Sequence, residues 1–314
     1  MNKVIYMNVK HLAVVIISCT LSCADLLAQD RGFKAEQNFP GGFEAVEIEG
    51  GFDVKMENAD YYGAEWTCPE EIKDEVHVFL KGDVLLASFT KKGFDASGLK
   101  KLVGGTDGSG NSIVLTIYAP SVNSIVASGS ASIDADGFSV ETDKFMLDIT
   151  DNVSLSGLGL KASSATITVS KKARLQSADV EAGNLSVNSA NMAEVSLKQL
   201  CKALSIQANG TSVLDINGSS ETADVSVYNS SRLKLSGAAA DFNLTAAGRE
   251  VHAEDFSADD VKVVGSNACK TYVDAADNLS IELKGGSLLS YSGSPVVDIV
   301  RIQNSSVSRV SSGL

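Results

Sequence analysis

Pairs of aliphatic residues two positions apart recur along most of the chain. They are Leu147/Ile149, Ile167/Val169, Leu185/Val187, Leu204/Ile206, Val225/Val227, Phe242/Leu244, Val261/Val263 and Leu279/Ile281, their first members separated by 20, 18, 19, 21, 17, 19 and 18 residues. A second pair follows each: Val153/Leu155, Ala173/Leu175, Val195/Leu197, Val213/Ile216, Leu233/Leu235, Val251/Ala253, Tyr272/Val273 and Leu289/Tyr291. Polar clusters such as Asn209-Gly210-Thr211-Ser212 lie between. A helix would repeat its apolar positions at three and four, so the spacing of two predicts strands separated by turns. Each repeat of about 19 residues reads strand, turn, strand, turn, eight times over.

One two-strand unit is too small to bury its own apolar side, and stacking the units in parallel solves this by forming continuous aliphatic columns. The expectation is an all-β, single-chain β-solenoid, with eight coils about 4.8 Å apart giving a stack of about 38 Å. A β-sandwich of meandering hairpins is the alternative. Tight corners need Gly, Asn or Asp for positive φ, and close stacking favours Ser, Ala and Gly. In the segment 117–134, IYAPSVNSIVASGSASID, Pro120 ends an irregular region, Val122 and Ile125 are the first inward positions, and Ser128-Gly129-Ser130 forms the first clean corner.

Residues 43–118 are less regular. Strands are expected at 43–48, 52–56, 76–80, 84–89 and 113–118, with a polar, Gly-rich excursion at 91–112. This region reads as an irregular N-terminal cap of the solenoid, and a separate small β domain is the alternative; regular coils are expected over 119–310.

Composition supports the all-β reading, since aromatics make up 6% of the 314 residues and only 4 Pro accompany 27 Gly. The first residues carry Lys3 and Lys10 ahead of a short apolar segment, the pattern of an export signal over 1–24 with cleavage before Asp25. The segment Ile16-Ile17-Ser18-Cys19 also has the form of a lipobox, in which Cys19 would be lipidated. Residues 25–42 read as a linker. No second apolar run of 18 residues follows, so no transmembrane helix is expected in the mature chain. Removing 1–24 takes two Lys and no acid from a net charge of -13, leaving -15, which argues against nucleic-acid binding. Cys68, Cys201 and Cys269 are far apart and read as buried small hydrophobes.

Catalytic chemistry finds little support. His77 and His252 have no metal-ligand partner nearby in sequence, and no G-x-S-x-G elbow occurs. Asp148, Asp179, Asp215 and Asp224 are spread along the coils rather than clustered as in polysaccharide lyases. The one metal candidate is Asp134, Asp136 and Asp143, in a segment with oxygen donors at spacings loosely like a calcium loop and Gly137 in its turn; a corner using Asp and Gly for backbone reasons is the plainer reading. Gly104 to Gly110 lacks the Lys of a phosphate loop. No cofactor is expected.

Phe52-Asp53-Val54 after FEAVEIEGG, Ala119-Pro120-Ser121-Val122 leading into Ser128-Gly129-Ser130, the strand pairs, and Ser290-Tyr291-Ser292-Gly293-Ser294-Pro295 together resemble the bacterial family called "putative auto-transporter adhesin, head GIN domain", over 43–310. The resemblance implies a right-handed parallel β-helix, exported by Gram-negative bacteria to the periplasm or outer-membrane surface, with no established activity. The chain departs from the family in its later corners, Ser156-Gly157-Leu158, Asn217-Gly218-Ser219 and Ser236-Gly237-Ala238. The function expected is a non-enzymatic, adhesin-like solenoid whose flat faces bind an extended glycan or protein. A structural or envelope-sensing protein and a carbohydrate-active enzyme are the alternatives.

Overall fold

The inward and outward alternation of the repeats is realised by parallel, in-register stacking of one coil on the next. The computed structural model describes residues 32–89 and 112–310. It is 75% strand, with one short helix, arranged as a β-solenoid of about 10 turns. The first strands are β1 (Gly32–Asn38), β2 (Ala45–Gly50), β3 (Asp53–Asn58), β4 (Gly63–Pro69), β5 (Val76–Lys81), β6 (Val84–Phe89), β7 (Val114–Ala119), β8 (Ser124–Gly129) and β9 (Ser132–Asp134). The coils continue through β10 (Ser139–Ile149), β11 (Ser154–Ser156), β12 (Gly159–Val169), β13 (Arg174–Ser189), β14 (Glu194–Ala208), β15 (Val213–Ser219) and β16 (Thr222–Ser266). The last are β17 (Lys270–Lys284), β18 (Leu288–Gly293), β19 (Val296–Gln303) and β20 (Ser306–Arg309). A 3-10 helix, Glu70–Glu75, links β4 to β5.

The central coils have three walls, one more than the two-strand reading allowed. On the first, Val46, Ile125, Leu147, Ile167, Val187, Ile206 and Val225 are successive register partners, all buried. On the second, Val54, Ile133, Leu155, Leu175, Val195, Leu214 and Leu233 form the column. The third begins Val140, Leu160, Val180 and then runs Gln199, Gly218, Gly237, so its apolar alternation fades and no aliphatic pair marks it. The coil also shortens along the stack. Ile125 pairs with Leu147, 22 residues on; the step is 20 from Leu147 to Ile167, 19 from Val187 to Ile206 and 18 from Leu279 to Val297.

True register departs from the pairs chosen by apolarity. Ile167/Val169 stack not on Leu185/Val187 but on Val187/Ser189, and Leu204 stacks on Ala223 rather than Val225. The reason is that Ser189 and Ala223 occupy inward positions, where a polar or small residue breaks the pattern. The Ser189 hydroxyl is buried between Val169 and Ala208 with no hydrogen-bond partner.

Corners stack as well. Gly129, Asp151, Lys171, Asn191, Gly210 and Asn229 all have positive φ, from 60° to 91°. The carbonyl of each of the first five accepts from the residue after the next coil's corner, in a continuous ladder: Asn152 N–H donates to Gly129 O, Lys172 to Asp151 O, Met192 to Lys171 O, Thr211 to Asn191 O and Ser230 to Gly210 O, at 2.6–2.9 Å. This explains the Asn, Asp and Gly spacing, because those types tolerate the left-handed region. Side chains follow the same ladder: Lys171 binds Asp151 at 2.6 Å and holds its carboxyl below the usual carboxylate range. Gly157, Gly218 and Gly237 do not belong to this column. They turn or cross the other walls, so they are distinct features rather than degenerate copies of the Gly129 corner.

The N-terminal rungs do not stack in chain order. β2 and β3 lie between the β6/β7 rung and the β8/β9 rung, so the chain starts one rung inside the end of the stack. A rung thus already forms at 45–58, and its corner at Gly50 sits directly against Gly129. The exposed edges of β6 and β7 are covered by antiparallel strands, β5 on β6 and β4 on β7, with β1 outside β4. The linker expectation for 25–42 is corrected here, since Gly32–Asn38 is strand β1 and Phe39 is buried. Residues of this cap share one apolar core with the later coils. Asn58 completes the third wall's open edge: its carbonyl accepts from Ser139 N–H at 2.7 Å and its amide donates to Ser139 O at 3.0 Å, standing in for a strand backbone. The export signal, Cys19 and the 91–111 excursion lie outside the described residues.

Two substitutions test this packing. Ser189→Ala removes a buried, unpaired hydroxyl and is expected to raise unfolding free energy by about 1 kcal/mol in urea titrations. Gly218→Ala, at φ 146° with its new Cβ 1.7 Å from the Gln199 carbonyl oxygen, is expected to lower it by about 3 kcal/mol or more.

Candidate functional site

Along the walls, several outward side chains pair with a neighbour one coil away. Lys161 pairs with Glu181 at 3.1 Å and Arg174 with Glu194 at 2.9 Å, each one coil apart. Asn243 donates to Asp224, Asn278 to Asp260, and Ser290 bonds Ser308 in the same axial direction. These ladders arise because the parallel register puts like positions about 4.8 Å apart. His252 shows the same geometry, stacked on Tyr272 with centroids 4.9 Å apart and flanked by Glu250 and Glu254. Its ring faces its neighbour along the stack and presents only an edge outward.

The cap differs. Of the chain's 19 aromatic residues, 11 fall within 32–118. Phe39, Phe43 and Tyr62 pack edge to face, with centroids 6.0 Å and 4.9 Å apart. Phe39 N–H donates to Tyr62 O, tying the end of β1 to the turn before β4. Gly42 leaves room for the Tyr62 ring and Gly63 for that of Tyr61, since a Cβ at either would meet the ring at 3.1 Å or less. Tyr61 lies on Tyr118, 5.5 Å between centroids and 29° between planes, and remains 46% exposed. Burial and the nearby Glu65 and Glu57 push the Tyr118 phenol up, which keeps it a protonated donor.

Beside these rings opens a cleft of about 670 Å³, lined by Glu36, Asn38, Phe39, Pro40, Asp60, Tyr61 and Tyr62. That volume suits a small ligand or one or two sugar rings. Glu36 and Asp60 are exposed and make no ion pair among the described residues. A half-exposed aromatic ring flanked by exposed carboxylates and an amide fits a polyol, whose C–H face packs on the ring while its hydroxyls donate to the acids. Neither Tyr61 nor Asp60 was singled out by the sequence reading; the Asp60-Tyr61-Tyr62 run in an aromatic-poor chain was the signal.

The sequence-based candidates are not gathered. Among the described residues no three His, Cys, Asp or Glu side chains are placed to hold a metal ion. Asp134 accepts from the Asp136 N–H at 3.0 Å, in a local turn with Gly137 at φ 79°, and Asp143 lies on β10. Asp148 and Asp224 lie on the first wall, Asp215 on the second and Asp179 on the third. Cys68, Cys201 and Cys269 are free and buried, and burial pushes the Cys201 thiol up to about 11. No helix among the described residues is long and apolar enough to cross a membrane.

A family model described as "Putative auto-transporter adhesin, head GIN domain" matches residues 42–234 and, in a second overlapping match, 201–295. Among solved structures, a putative adhesin from Parabacteroides distasonis matches with a TM-score of 0.50 and 15% identity, over 89% of this chain and 97% of that one. A putative adhesin from Parabacteroides merdae matches with a TM-score of 0.46 and 18% identity, over 89% and 96%. A putative lipid binding protein from Parabacteroides distasonis matches with 0.47 and 15%, over 89% and 97%. No protein of curated function matches the chain. For the calcium candidate, millimolar calcium is expected to leave the melting temperature of the wild type and of Asp136→Ala unchanged, as checked by differential scanning fluorimetry.

Proposed function

Because the chain belongs to the auto-transporter adhesin, head GIN domain family, we propose that it is an exported, non-enzymatic surface module that holds a glycan in the cleft of its N-terminal cap. The observation that carries this reading is Tyr61, half exposed and lining one cleft with the exposed carboxylates of Glu36 and Asp60. The solenoid supplies rigidity and reach rather than contacts. Where the walls carry axial hydrogen bonds and ion pairs, as at Arg174 and Glu194, a bound ligand would have to displace them, whereas the cleft groups would lose only water. The reading therefore moves the ligand from the flat faces to the end of the stack. A position on the cell surface or in the periplasm accords with the family and with the export signal expected in 1–24.

A glycan array probed with the full chain is expected to retain one class of glycan, and Tyr61→Ala to weaken that binding about tenfold, the loss of one aromatic stacking contact. Tyr272→Phe on the second wall should leave binding unchanged. Absence of retention, or equal binding by Tyr61→Ala, would rule the cleft out and favour a structural role without a glycan ligand.

A further inference from the structure

The two ends of the stack are finished differently. At the N-terminal end, antiparallel strands cover the edges; at the other, β19 pairs with β17 on one side only. Every residue of Val296–Gln303 is exposed, Val296 by 74%, Val300 by 62% and Ile299 by 56%. Val297 and Ile299 continue the column of Leu279 and Ile281, both fully buried, and have nothing above them. The strand carries no Lys and no Pro, residues that commonly prevent an edge from pairing.

Register gives the edge a further property. Ile281 pairs with Ile299 but Glu282 pairs with Arg301, so Val300 is an extra residue in a bulge. Asp298, opposite Ser280, and Arg301, opposite Glu282, therefore lie on the same outward side, three residues apart. Val297, opposite Leu279, and Ile302, opposite Leu283, both point inward. Counted outward from the midpoint between 299 and 300, the strand is self-complementary: Ile299 matches Val300, Asp298 matches Arg301, and Val297 matches Ile302.

We propose that this edge is the docking surface for a second copy of the chain, β19 against β19, antiparallel, across a two-fold axis between residues 299 and 300. A two-fold contact requires that residue i meet j while j meets i, and the opposed charges at mirror positions satisfy that requirement twice. Asp298 then faces the partner's Arg301, the apolar residues of the two open columns cover each other, and the unpaired backbone groups of both edges are bonded. The strand is itself neutral in a chain of net charge -13, so the acidic copies meet where repulsion is least. Both caps, with their clefts, would point away from the junction.

Sedimentation of the full chain at micromolar concentration provides the test. The wild type should run as a dimer, while Asp298→Arg and Arg301→Asp, each placing like charges opposite one another, should run as monomers that keep the β circular-dichroism spectrum of the folded chain. Mixing the two single variants should restore a dimer, because all four charges are then opposed in sign, and the double variant carrying both changes should dimerise alone. A monomeric wild type, a dimer that survives both single reversals, or failure of the mixture to reassociate would overturn the proposal. Glycan retention reads the cleft separately, so either result stands without the other.

Discussion

Parallel backbone pairing between equivalent residues of successive coils is the constraint on which everything else in this molecule depends. One coil buries too little apolar surface to be stable, and its amide and carbonyl groups find partners only in the coil above and the coil below. Once that pairing is in register, each inward position becomes a column and each corner must repeat one backbone conformation. The positive-φ series from Gly129 to Asn229 is a direct result, and so is the narrow choice of Asn, Asp and Gly for all but one of its members, Lys171. Close stacking also explains why Gly218 and Gly237 admit no Cβ, since the carbonyl of the coil below occupies that space.

The same constraint distinguishes the ends of the stack from its walls. Where a side chain repeats at coil spacing it pairs with its own counterpart, as Arg174 does with Glu194, and its bonding capacity is used within the wall. Only at the ends does the repetition stop. The N-terminal end is irregular, rich in aromatic residues and folded back in antiparallel strands, which leaves Tyr61, Glu36 and Asp60 around a cleft with unspent bonding groups. The C-terminal end is a bare rung whose open edge is neutral and mirror-symmetric in sequence. A module that binds at one tip and self-associates at the other would present two clefts at the far ends of a rod.

How far these features were legible varies with the residue. Leu147/Ile149 and Leu279/Ile281 announced the repeat because both inward positions are aliphatic, and the solenoid followed from their spacing. Ser189 and Ala223 hid the register by two residues, and Gln199 and Gly218 hid the third wall, because columns are judged by their neighbours in space and a short or polar residue is tolerated wherever those neighbours fill the gap. β1 was read as a linker since its alternation, Phe33, Ala35, Gln37, is weak and its partner β4 is remote in sequence. The calcium candidate at Asp134, Asp136 and Asp143 drew on spacing alone, whereas the hydrogen bond that the Asp136 N–H donates to Asp134 is a contact the structure adds.

Periodicity was thus the sequence's own property: an all-β stack, coils of about 19 residues, corners of Asn, Asp and Gly, and an irregular cap were all written in local pattern, because strand alternation and turn chemistry act over a few residues. The order of rungs, with β2 and β3 lying inside β6 and β7, the cleft beside Tyr61 and the one-sided pairing of β19 belong to the tertiary structure alone. They depend on which edge a strand finds to pair with and where a bulge falls, and those outcomes are settled by contacts between residues far apart in the chain.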